Sequence, residues 1–155
     1  MKLVSSAFAD GNEIPRRHTQ EGEDLSPPLA WSGVPAGTVS LALVVDDPDA
    51  PDPAAPKMTW VHWIVFNLPP DTSRLAAGES HFPAGTRFGL NDRHDTRWHG
   101  PRPPIGRHRY FFHLYALDTV LDLPGTPSRA QLDAAMVGHV LAHAQCMGTY
   151  QLQAH

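Results

Sequence analysis

Apolar residues in this chain fall in short runs broken by proline, glycine and aspartate, and the runs read as strands. Lys2 to Phe8 predicts a first short strand. Thr38 to Val45 (Thr-Val-Ser-Leu-Ala-Leu-Val-Val) is apolar on both faces toward its end, which predicts a central strand. In a third run, Met58 to Leu68, alternation sets Trp60, His62, Ile64 and Phe66 on one face and Val61, Trp63 and Val65 on the other. In a fourth, His108, Tyr110, Phe112 and Leu114 share one face, and Arg109, Phe111, His113 and Tyr115 share the opposite one.

The connections are equally patterned. Asp46-Asp47-Pro48-Asp49-Ala50-Pro51 reads as a stop to the second strand that leaves carboxylates at the sheet's edge. Gly85 to His99 is irregular, carries both signs of charge, and predicts an exposed segment. After Asp118 the spacing turns helical. Thr126-Pro127 reads as an N-cap and first helical position, and Leu132, Ala135 and Met136 mark one helix over Ser128 to Val137. Val140, Leu141, Ala144 and Met147 mark a second helical piece over His139 to Met147, capped by Gly148, with Thr149 to Leu152 returning as a strand. The expected class is mostly β, with helices gathered at the C-terminal end.

Composition narrows the function classes. Sixteen prolines and twelve glycines leave room for strands but not for long helices. A length of 155 residues predicts one domain, residues 1–155. The formal charge of −4 argues against a nucleic-acid or anionic-membrane surface. No run approaches the ~20 apolar residues of a membrane helix, so the expected location is the cytoplasm. Cys146 is the only cysteine, which excludes an internal disulfide or a cysteine-based zinc site. His139 and His143 have zinc-like spacing but no third ligand nearby in sequence; a half-exposed helix face is the better reading, and no metal is expected. Fingerprints for nucleotide, phosphate-loop or hydrolase chemistry are missing, so no cofactor is expected.

What chemistry there is lies in three stretches. Gly100-Pro101-Arg102-Pro103-Pro104-Ile105-Gly106 is a stiff loop feeding the strand that begins with His108 and Tyr110. His62 is a lone ionisable group in an apolar run, which by itself reads as a satisfied core histidine. Asp47 and Asp49 stand in the Asp-Pro turn, and His62 follows soon enough to make a meeting with Asp47 reasonable.

These stretches resemble the phosphatidylethanolamine-binding protein family, also called Raf-kinase-inhibitor-like proteins, and most of all its small bacterial branch. The likeness rests on Asp47-Pro48-Asp49-Ala50-Pro51, on Trp60-Val61-His62-Trp63, and on Gly100 to Tyr110. Leu25-Ser26-Pro27-Pro28-Leu29-Ala30-Trp31 and Gly148-Thr149-Tyr150 add to it, so the ordered set spans nearly the whole chain. The resemblance implies a β-sandwich-like fold, a large central antiparallel sheet flanked by a smaller one. It also implies an anion pocket for phosphate-like groups, built from Asp47, Asp49, Pro51, His62, Gly100, Pro101, Pro103, His108 and Tyr110. Arg102 stands where a cysteine is more usual in that branch, and would be a rim residue if it faced the pocket.

Two imidazoles near one carboxylate would favour the imidazolium form and so an anionic ligand. The leading expectation is therefore a non-enzymatic binding protein for an anionic or phosphorylated small ligand. The alternative is an inhibitor of a kinase or protease, acting through a protein surface such as Arg87 to His99. A hydrolase using Asp47, His62 or His108 ranks last, because no nucleophile stands beside them. A homodimer would be unsurprising for this branch.

Overall fold

The computed structural model describes residues 1–153. Three long strands form the frame: β3 (Ser40–Ala50), β4 (Met58–Leu68) and β7 (His108–Leu117). Each holds the β-branched and aromatic residues that suit a pleated, buried surface. A short strand β6 (Arg87–Phe88) and a long strand β8 (Val140–Tyr150) complete an antiparallel sheet in the order β6-β4-β3-β7-β8. A second antiparallel sheet contains β1 (Lys2–Val4), β2 (Leu29–Ser32) and β5 (Arg74–Leu75), in the order β1-β2-β5.

The main core lies between the two sheets. Leu3, Leu29, Trp31 and Leu75 of the small sheet pack with Leu43, Val45, Trp63, Phe112 and Leu114 of the large one. The other face of the large sheet is covered by helix α1 (Arg129–Met136), whose Leu132 and Met136 meet Val44, Ile64 and Phe66. The helix starts two residues later than Thr126-Pro127 predicts. Ser128 is the cap: its Oγ accepts from the Gln131 amide and its own amide donates to the Gln131 side chain.

The predicted second helix over His139 to Met147 is instead a strand. β8 pairs with β7 along its length, from Leu117↔Val140 to His108↔Tyr150. Its buried residues are Ala144, Cys146, Gly148 and Tyr150, a period of two rather than 3.6. The helical C-terminal end therefore reduces to α1. His139 and His143 do not share a helix face; His139 pairs with Asp118, and His143 meets His113 across the strands. Gly148 caps nothing, but a Cβ there would collide with Ile14 and Phe8, because the segment before Pro15 lies directly over the strand.

Three other expectations change. β3 does not stop at Val45; it continues through the Asp-Pro sequence to Ala50, with irregular pairing between Asp47 and Ala50. The simple alternation of β4 also fails. A shift between Val45↔Trp63 and Asp46↔Val61 bulges the strand at His62, so Val61 joins Ile64 and Phe66 on the helix side while Trp63 and Val65 face the small sheet. Finally, the segment up to His99 is not an exposed loop throughout. Asn91, Trp98 and His99 are buried, and Asp92 accepts the Val61 amide at 2.6 Å.

Candidate functional site

The end of β3 and the starts of β4 and β7 lie together at one edge of the large sheet, because neighbouring strands run antiparallel. A cavity of about 290 Å³ opens there. Its floor and walls are Asp47, Ala50, Pro51, Met58, Trp60, His62, Pro103, Pro104, His108 and Tyr110, and its mouth is edged by Gln20, Arg93 and Arg102.

Asp47 and His108 are both buried in its wall. Asp47 Oδ2 lies 2.6 Å from His108 Nδ1, and Asp47 Oδ1 accepts the Asp49 amide at 2.8 Å. His108 Nε2 faces two backbone carbonyls, Ile105 at 2.8 Å and Pro51 at 3.1 Å. Carbonyl oxygens only accept, so Nε2 carries a proton. A second proton lies between Nδ1 and the carboxylate. On whichever atom it resides, the pair holds two protons and no net charge. Burial pushes the Asp47 carboxyl above its ordinary range, and the His108 hydrogen bond only partly offsets this.

His62 does not meet Asp47. Its Nδ1 donates to the His99 carbonyl at 2.5 Å, so the neutral ring keeps an unprotonated Nε2 as its polar atom for the cavity. Burial pushes this imidazole down to about 4. The expected imidazolium at His62 is thus replaced by a neutral hydrogen-bond acceptor. The Tyr110 ring sits edge-on to it, 5.2 Å between centroids. Burial, with Asp47 and Asp49 nearby, holds the Tyr110 phenol well above its ordinary range, so it stays a donor at neutral pH.

Positive charge comes from the mouth. Arg93 donates to Gln20 Oε1 at 2.8 Å, and Gln20 Nε2 donates to the Gly100 carbonyl at 3.0 Å. Gln20 thereby fixes Arg93 to the rigid loop. Arg102 lines the cavity, whereas Gly100 and Pro101 stand behind the wall. The Gly100 amide donates to Asp24 at 2.9 Å, and a Cβ at Gly100 would run into that carboxylate and the His18 carbonyl. Pro101 accepts the Gln20 amide at 3.0 Å. Asp49 also lies outside the cavity; it binds Arg109 through Oδ1 at 2.9 Å and Oδ2 at 3.0 Å, tying β3 to β7.

Of the residues singled out from sequence, Asp47, Pro51, His62, Pro103, His108, Tyr110 and Arg102 converge on the cavity, while Asp49, Gly100 and Pro101 support its walls. Gln20 and Arg93 were missed. They are 73 residues apart and meet only through the fold. Among the described residues no cluster of three His, Cys, Asp or Glu side chains is placed to hold a metal.

Comparison with known proteins decides the family. The model of the phosphatidylethanolamine-binding proteins matches residues 4–151. The chain belongs to the phosphatidylethanolamine-binding protein family. A UPF0098 protein of Methanothermobacter thermautotrophicus is 47% identical, over 97% of this chain and 99% of the relative. A UPF0098 protein of Chlamydia muridarum is 43% identical, with the same coverage. Among solved structures, a phosphatidylethanolamine-binding protein homologue of Chlamydia trachomatis superposes with a TM-score of 0.90 at 41% identity, over 98% of this chain and 97% of its own. Escherichia coli YbcL, described as a member of the mammalian family, gives 0.87 at 30% identity over 98% of both chains. The relatives it matches thus come from both bacteria and archaea. No helix among the described residues is long and apolar enough to cross a membrane.

Proposed function

We propose that this member of the family is a binding protein for a phosphate-like group, seated in the cavity between His62, His108 and Tyr110. The observation that carries the reading is the arrangement of polar atoms around one small, walled space. Tyr110 brings a hydroxyl donor, and Arg93 and Arg102 bring guanidinium groups whose planar forks suit oxyanions. The bare His62 Nε2 is an acceptor, so a ligand that retains one P–OH matches it better than a fully deprotonated one. Pro51, Pro103 and Pro104 keep the walls stiff, which lowers the ordering cost of binding.

A hydrolase fits less well. No serine, threonine or cysteine lines the cavity among the described residues, and both His108 nitrogens are already engaged. Thermal shift with inorganic phosphate, phosphoethanolamine and phosphoserine tests the reading. A rise in Tm with at least one of them, diminished in His62→Ala and Tyr110→Phe, supports it. Equal shifts in the wild type and both variants would sink it.

A further inference from the structure

Resting on that phosphate-binding reading, we propose that the ligand is a phosphate monoester whose other end also carries an anionic group, such as a carboxylate or second phosphate. The geometry beyond the cavity mouth carries this. Arg102 and Gln20 each line two hollows at once: the cavity just described, and an adjoining one of about 390 Å³ that also includes Arg16. A ligand filling the first cavity therefore emerges beside Arg102, and its tail runs toward Arg16.

The charges along that path are one-sided. Arg93 is held at the first mouth by Gln20, and Arg102 makes no ion pair among the described residues. Arg16 Nε is bonded to a backbone oxygen, that of Glu21, rather than to a carboxylate. Among the described residues, the acid lining the second hollow is Glu21. Its Oε1 accepts from the Tyr150 hydroxyl at 2.7 Å and the Gln153 amide at 3.1 Å. Asp47, the acid in the first cavity, is neutralised within its pair with His108. Among the described residues, three guanidinium groups against one carboxylate leave the path positive, in a chain whose formal charge is −4. Such a field attracts an anionic tail and repels an ammonium one. The same path that admits a phosphate head would thus discriminate against a zwitterionic ethanolamine ester.

Matched pairs of ligands isolate the tail. Phosphoglycolate and phosphoethanolamine share a phosphate head and a two-carbon tail but end in carboxylate and ammonium; 3-phosphoglycerate and glycerol 3-phosphate differ by carboxylate against hydroxymethyl. Calorimetric titration of the full chain at low salt is expected to rank carboxylate above neutral above ammonium, with roughly tenfold between the extremes. That gap should narrow several-fold at 1 M salt, as exposed charges are screened. In Arg102→Ala the gap should shrink to about threefold or less, and in Arg16→Ala partly. Equal affinities, a preference for phosphoethanolamine, or an order unchanged by Arg102→Ala would overturn the proposal while leaving the phosphate pocket standing. Failure of every ligand, inorganic phosphate included, would overturn both.

Discussion

His108 holds Asp47 at 2.6 Å through Nδ1 while its Nε2 is shared by the carbonyls of Pro51 and Ile105. One buried ring thus ties together β3, the turn that follows it and the loop before β7. Removing either partner leaves the other buried without compensation, a loss of about 3–5 kcal/mol. Urea unfolding should show losses of this size in Asp47→Ala and in His108→Ala. The double variant should lose clearly less than the sum, since the two groups share one interaction.

His62 should make the fold sensitive to mild acid. Its folded value of about 4 lies below the ordinary 6.5, so the unfolded chain binds more protons between them. The contribution is complete above about pH 6.5 and is lost progressively as pH falls toward 4. It amounts to about 3 kcal/mol, from roughly 1.4 kcal/mol per tenfold. Stability measured at both ends of this window should differ by about that much more in the wild type than in His62→Phe.

A second acid dependence lies lower. Arg109's hydrogen bonds hold the Asp49 carboxyl below the usual carboxylate range, against a smaller opposing effect of burial. Stability from this group is present above the unfolded value, about pH 4, and disappears as pH falls through the folded one. An acid titration followed by circular dichroism should show a shallower fall below pH 4 in Asp49→Asn.

Tyr110→Phe separates binding from folding. The ring packs in the main core, and the hydroxyl faces the cavity with no hydrogen-bond partner among the described residues. Stability should stay within about 1 kcal/mol of wild type, while phosphate affinity falls roughly tenfold, as for the loss of one hydrogen bond to a charged group. A variant that binds as tightly as wild type would remove Tyr110 from the site.

Much of the frame was legible because β-branched and aromatic runs allow few alternatives. Met58 to Leu68 matches β4 in full, and the alternation from His108 to Tyr115 matches the burial seen in β7. The β8 segment was not legible. Its alanines favour helix, its apolar residues fit a 3.6 spacing, and only pairing with β7 overrides both. The site divides in the same way. Asp47, His62, His108 and Tyr110 stand in short motifs whose ordered resemblance to the family grouped them, whereas local pattern alone reads His62 as a core histidine. The Arg93–Gln20–Gly100 chain joins distant loops and has no local signature. The neutral state of His62 comes from its complete burial by the fold, against the opposing pull of the His99 carbonyl 37 residues away, which fixes the tautomer.

The cavity walls come from Gln20, Asp47, His62, Arg93, Arg102 and His108, spread over more than half the chain. No short fragment contains them, and none of the three long strands can move away without opening the pocket. An occupant would therefore act as a rivet through several layers of chain at once. Its stabilisation would appear as slower amide exchange across β3, β4 and β7 together, rather than as the stiffening of one loop.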